Sequence, residues 1–201
     1  MLRFGPAEGG PTVILAMPLF EEANRTRAFA VRLLRLLAAR GIGGALPDLP
    51  GQNDSLIPTE DARLPDWRAA LVAAAHRLPG PIHIVALRGA ALLDGDVPAV
   101  SRWYLSPLSG EAQRRELERL RIASGGADHG GNRLHPDLLA GLTAARPLTD
   151  GRVRVARLAD DPREADITFP AAPPWRRSEP EVDSQLAARC AADIASWIGA
   201  A

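Results

Sequence analysis

A chain of 201 residues has room for one compact α/β domain and little more. Its 24 basic and 24 acidic residues cancel, so no net field draws it to nucleic acid or to an anionic membrane. The apolar runs stop well short of the roughly 20 residues a membrane span needs, and Met1 to Pro6 lacks the apolar core of a secretion signal, so a cytoplasmic protein with no membrane span is expected.

A single cysteine, Cys190, excludes an internal disulfide and a multi-cysteine metal site. It falls on the apolar stripe of a helix and reads as a small buried hydrophobe. Glycine and proline, 18 of each, predict many tight turns between short elements.

In chain order, Thr12-Val-Ile-Leu-Ala-Met17 is a nearly continuous apolar run ended by Pro18, the pattern of a central strand covered on both faces. Phe29, Leu33, Leu36 and Leu37 then recur at helical spacing, with Arg25, Arg32, Arg35 and Arg40 off that stripe and Gly41 as a stop. Gly44-Ala-Leu-Pro-Asp48 is a second strand, leading into the turn-rich loop Leu49 to Ser55. Pro65 suits the first turn of a helix carrying Trp67, Leu71, Ala74, Ala75 and Leu78.

Ile82 to Leu87 is a buried strand that runs into a tight turn at Arg88, and Arg102 to Leu105 is another. Between them only Gly89 to Leu93 is available for a helix. Ser109 to Ala123 is a strongly charged helix with a thin apolar edge of Leu117 and Leu120, and a small lid insertion over 107–147 is expected, with a second helix from His135 to Arg146. Arg152 to Leu158 alternates apolar and basic residues as a strand does, Asp166 to Phe169 is a short edge strand, and Leu186, Cys190, Ile194, Trp197 and Ile198 make a closing amphipathic helix. Strands alternating with helices at this spacing predict a three-layer α/β/α sandwich around a mostly parallel sheet, of minimal α/β-hydrolase type.

Two groups of polar or glycine residues are set aside. Gly41-Ile-Gly-Gly44 follows a helix and precedes a strand, the reverse of a dinucleotide-binding turn. Asp128, His129, His135 and Asp137 lack the compact spacing of a zinc site and read as an exposed polar loop. No metal or cofactor is expected.

The loops at the carboxyl ends of the strands are where an α/β sheet binds ligands. An α/β-hydrolase places there an oxyanion-hole loop, a serine at a strand-to-helix elbow, an acid and a histidine. On that plan Pro18-Leu-Phe-Glu-Glu22 is the oxyanion-hole loop, Arg88 the elbow residue, Asp160 or Asp161 the acid, and Pro173-Pro-Trp-Arg-Arg177 the histidine loop. A guanidinium stays protonated and cannot attack a carbonyl. The last histidine, His135, precedes the acid, so the Ser-His-Asp set is expected to be absent. Ser106 and Ser109 follow the next strand, but neither sits in a G-x-S-x-G turn, and Ser55 reads as a turn residue. Arg88, projected into the crevice, needs a carboxylate such as Glu21 or Glu22, or an anionic ligand, because an unpaired buried charge costs several kcal/mol.

Four stretches carry a resemblance to a known family. They are Pro18-Leu-Phe-Glu-Glu-Ala-Asn-Arg-Thr-Arg27, Leu46-Pro-Asp-Leu-Pro-Gly-Gln-Asn-Asp-Ser55, Ala86-Leu-Arg-Gly-Ala-Ala91 and Trp103-Tyr-Leu-Ser-Pro-Leu-Ser-Gly110, with Pro173-Pro-Trp175 before a final helix. Together they resemble the exosortase A system-associated hydrolase 2 family of the α/β-hydrolase superfamily, found with bacterial exopolysaccharide and protein-sorting systems. An arginine at the elbow is common in that family, so Arg88 matches its pattern. The chain departs from it at Gln52-Asn53 and in the shortened helix after Ala91.

The resemblance implies a hydrolase-like protein of an exopolysaccharide or exosortase system, and the residues themselves suggest a structural or ligand-binding crevice at Arg88, Glu21, Glu22, Asn24 and Trp175 that takes an anionic small molecule or a partner protein. Two alternatives stand beside it. One is an active ester or thioester hydrolase with an atypical set, such as Ser106 with an unassigned base, with Asp160 or Asp161 at the acid position. The other is an interaction scaffold whose helix from Ser109 to Ala123 docks a partner.

Overall fold

The computed structural model describes every residue except 8, 53, 54, 127, 178–181, 200 and 201. Asn53 and Asp54 of the second resemblance stretch therefore lie outside the described residues.

Seven strands form one sheet: β1 (Leu2–Phe4), β2 (Thr12–Ala16), β3 (Gly43–Leu46), β4 (Ile82–Leu87), β5 (Ser101–Leu105), β6 (Val153–Leu158) and β7 (Ile167–Phe169). Their spatial order is β1-β3-β2-β4-β5-β6-β7. Every pairing is parallel except that of β1, which runs antiparallel to β3 with Leu2 opposite Leu46. The reading of the sequence missed β1, because three residues closed by Gly5-Pro6 are too few to display a period; pairing with β3 is what orders them.

The α-helices among the described residues are α1 (Glu21–Ala38), α2 (Leu64–His76), α3 (Gly110–Ala123), α4 (Pro136–Ala144) and α5 (Ser184–Gly199), the last following β7. Successive side chains of a strand point to opposite faces, and that alternation divides the core in two. Val13, Leu15, Val85, Leu87, Trp103 and Leu105 pack with Phe29, Leu33 and Leu37 of α1 and with Leu186, Cys190 and Ile194 of α5. Ile14, Ala16, Ile84, Ala86 and Tyr104 pack with Trp67 and Leu71 of α2 and Leu138 and Leu142 of α4. The result is the expected α/β/α sandwich. Cys190 is fully buried, and burial holds its thiol well above the usual pKa.

Polar side chains fasten the layers at a few points. Asp193 of α5 accepts the Trp103 indole N–H at 2.7 Å and the Arg154 guanidinium at 2.8 Å, tying the helix to β5 and β6. On the other face buried Asp94 accepts from Arg102 Nε and from the Tyr104 hydroxyl, both at 2.8 Å. The Asp94 pKa is raised, burial outweighing these partners. This cluster anchors the segment that follows the elbow.

The helix after β4 is short, as its five or so available residues require. It is a single 3-10 turn, Arg88–Leu92, entirely buried. The segment between β5 and β6 carries α3 and α4, packed against each other, with α3 also touching the 3-10 turn. This places α3 over the carboxyl end of β4.

Candidate functional site

Leu87 leaves β4 in extended conformation (φ −105°, ψ 127°), and Arg88 turns sharply with φ 57°. A left-handed backbone at a residue with a Cβ costs roughly 1–3 kcal/mol and persists only where the surroundings enforce it. Here the turn projects the side chain from the sheet's carboxyl edge into the crevice, where it is buried (4% exposed).

The guanidinium is closely surrounded. Its Nε lies 3.3 and 3.4 Å from the two carboxylate oxygens of Glu22, and one Nη donates to Glu22 at 3.2 Å. The same Nη donates to both oxygens of Glu116, at 2.7 and 3.0 Å. The indole of Trp175 stacks on the guanidinium carbon at 4.7 Å from the ring centroid, a favourable cation–π arrangement. Four elements thus meet at one side chain: α1 through Glu22, the 3-10 turn through Arg88, α3 through Glu116, and the Pro174–Arg176 turn through Trp175.

Two carboxylates share this one cation, and burial raises the Glu22 pKa from 4.5 to about 7. Arg88 pulls it down and the neighbouring Glu116 pushes it up, but desolvation dominates.

The other two expected crevice residues, Glu21 and Asn24, fall in different places. Glu21 lines the same cleft but pairs with Arg25, whose guanidinium also donates to the Trp175 carbonyl at 3.4 Å. Of the two loop glutamates, Glu22 is the one that reaches Arg88. Asn24 is exposed and lines a separate hollow with Gly51, Thr59 and Asn132, away from the guanidinium. Glu116 was not among the expected site residues.

Two clefts open beside Arg88. The first, about 360 Å³, lies under α3 and is lined by Leu19, Phe20, Gln113, Leu117, Leu120 and Trp175 besides the charged groups. The second, about 320 Å³, is lined by Ser106, Asp160, Asp161, Pro162, Arg163 and Pro173. Arg88, Trp175 and Arg176 border both.

The acid position follows β6. Asp161 accepts from Arg157 at 3.0 Å and from Arg163 at 2.6 Å, and these hydrogen bonds hold its carboxyl well below the usual range. Asp160 is exposed at the edge of the second cleft.

Ser106 has φ 48° and is 1% exposed, and its hydroxyl has no hydrogen-bond partner. Leaving a buried hydroxyl unpaired costs about 1–3 kcal/mol. Ser109 caps α3, its Oγ accepting from the Ala112 N–H at 3.2 Å, and Ser55 Oγ accepts from the Gly51 N–H at 2.9 Å, a turn role.

None of the four histidines lines either cleft. His135 caps α4 through the Asp137 N–H, and His83 pairs with Ser101 at 2.8 Å. This buried His83–Ser101 couple sits at the amino ends of β4 and β5, the opposite edge of the sheet, and burial lowers the imidazole pKa. Among the described residues no three histidine, cysteine, aspartate or glutamate side chains cluster as metal ligands. Nor is any helix long and apolar enough to cross a membrane.

Gly89 follows the elbow, and a Cβ there would lie 2.0 Å from Gln113 Oε1 of α3. That amide oxygen has no hydrogen-bond partner. The first cleft therefore has a roof on α3, a floor at the elbow and an apolar wall, and the described residues that line it include no nucleophile with a base beside it.

The strand order, the elbow and the placement of acid and cover segments define an α/β-hydrolase fold. Solved structures of that fold superpose on nearly the whole chain. Est1E from Butyrivibrio proteoclasticus, solved with ferulic acid bound, has a TM-score of 0.58 and 16% identity over 98% of this chain and 92% of its own. The NocB thioesterase domain, solved as a covalent complex with a fluorophosphonate nocardicin G analogue, has 0.59 and 16% over 98% of each chain. The pyrethroid hydrolase PytH has 0.55 and 14% over 96% of this chain and 98% of its own. No protein-family model and no curated protein matches the sequence.

Proposed function

We propose that this protein is a non-hydrolytic α/β-hydrolase-fold protein that binds a small molecule or partner in the crevice around Arg88, in the service of a bacterial exopolysaccharide or exosortase system. The observation that carries this reading is the occupancy of the elbow. Arg88 stands where a hydrolase presents its nucleophile, and its guanidinium is spent on Glu22, Glu116 and Trp175. A protonated guanidinium neither attacks a carbonyl nor accepts a proton, and no imidazole lines the cleft. The four stretches that resemble the exosortase-associated family support the biological setting. The segment 107–147 serves as the lid of the crevice, with α3 latched by Glu116.

An active hydrolase is the second reading, favoured by one observation. Ser106 carries a left-handed backbone and an unpartnered hydroxyl beside the elbow.

One assay separates the two. Purified protein incubated with a panel of p-nitrophenyl esters and acyl thioesters is expected to give no turnover above buffer. Turnover that Ser106→Ala abolishes would overturn the non-hydrolytic reading. The setting is checked by gene neighbourhood, where exosortase or polysaccharide-synthesis genes are expected.

A further inference from the structure

The two clefts differ in chemistry and share a border. The cleft under α3 presents Leu19, Phe20, Leu117 and Leu120. The other presents Ser106, whose buried hydroxyl has no partner, and Arg176, which is exposed and has no ion pair among the described residues. Of the other cations, Arg88 is engaged by Glu22 and Glu116, Arg25 by Glu21 and Arg163 by Asp161; Arg119, exposed on α3, borders only the cleft under that helix, away from Ser106. Asp161 is neutralised by two arginines and Asp160 stands in solvent, so neither cancels Arg176. A hydroxyl donor and a free guanidinium at the end of an apolar trough describe a ligand with two unlike ends.

We infer that the joined clefts hold a single-chain amphiphile with an anionic head, a carboxylate or phosphate. The head is received by Ser106 Oγ and Arg176, and the chain lies over Leu19, Leu117 and Leu120. Trp175, which borders both clefts, lies against the carbon next to the head. The assignment rests on the non-hydrolytic reading above, because such a ligand is held and released unchanged. It goes beyond that reading by giving the ligand a chemical class and an orientation.

The test is calorimetric titration of the full chain with decanoate, decyl phosphate, decan-1-ol and decyltrimethylammonium, each below its micellar concentration. Saturable binding of the two anions is expected, with decanol about tenfold weaker and the cation weaker still. Arg176→Gln and Ser106→Gly are each expected to weaken decanoate about tenfold while leaving decanol unchanged. Arg176 is exposed, and glycine accepts the left-handed backbone at 106, so both variants keep the fold. Decanol binding as tightly as decanoate, or decanoate affinity unmoved in both variants, overturns the inference.

A parallel incubation with p-nitrophenyl decanoate keeps the two proposals apart. Hydrolysis with the anion preference intact defeats the non-hydrolytic reading and leaves the head-group site standing. No hydrolysis and no anion preference does the reverse.

Discussion

Arg88 is a long charged side chain on a backbone turn that favours glycine, and what holds it there is electrostatic. Its φ of 57° is unfavourable, and burying its charge would cost several kcal/mol if no anion faced it. Glu22 and Glu116 supply the anions and Trp175 the flat apolar cover. Supplying two carboxylates for one guanidinium has a consequence for pH. Glu22 titrates near 4.5 in its ordinary state and at about 7 in the fold. Between those values the folded protein holds a proton that the unfolded chain has released, so the Glu22 contribution to stability is complete below pH 4.5 and is lost as pH rises toward about 7. Urea denaturation across this window is expected to show unfolding free energy falling with pH more steeply in the wild type than in Glu22→Gln. The difference in slope is at most about 1.4 kcal/mol per pH unit. Equal slopes in the two proteins would remove Glu22 as the titrating group.

At the scale of elements, α3 forms one wall of the crevice. Gln113, Glu116, Leu117 and Leu120 recur at the i, i+3, i+4, i+7 spacing of one helical face, and all four line the cleft. Leu117 and Leu120 mark that stripe in the sequence, while Glu116 is one charge among many on a strongly charged helix. The signal that finds it is its place on the stripe, since a carboxylate flanked by inward residues needs a cation across the interface, and Arg88 is that cation. The start of α3 is fitted closely to the end of α4. The Gly110 N–H donates to the Ala145 carbonyl at 3.1 Å, and a Cβ on Gly110 would lie 1.7 Å from the Leu142 carbonyl oxygen. Backbone cannot step aside as a flexible side chain does, so Gly110→Ala is expected to cost at least about 1–3 kcal/mol in chemical denaturation. Gly95→Ala, where a Cβ meets nothing within 4 Å, serves as the control and is expected to be near neutral. Equal stability of the two variants would mean that α3 is not seated on α4 in solution.

At the scale of the whole molecule, the proposed non-hydrolytic reading holds that a hydrolase fold here carries no nucleophile–base pair in its crevice. Restoring the nucleophile alone is therefore expected to restore nothing. In Arg88→Ser the hydroxyl would stand at the elbow with no imidazole beside it. The His83–Ser101 couple lies at the other end of β4, roughly 16 Å away at about 3.3 Å per residue. The variant, checked for folding by circular dichroism, is expected to remain inactive on activated esters. Turnover by Arg88→Ser would show that another base serves the crevice.

Much of this was legible in residue order alone. The apolar runs at Thr12, Ile82 and Arg102, the amphipathic stripes of α1 and α5, and the turn at Arg88 are local patterns, and local patterns specify strands, helices and the elbow between them. The antiparallel edge β1 was not legible, being too short to carry a pattern. Nor was the choice between Glu21 and Glu22, which are adjacent in the chain but point to different partners because a helix turns 100° per residue. The sequence by itself determined an α/β sandwich with an arginine at its elbow and no histidine where a hydrolase needs one. Only the tertiary structure decided what that arginine holds, because Glu22, Glu116 and Trp175 are 66, 28 and 87 positions away from it in the chain and meet only when the sheet, lid and final segment pack together.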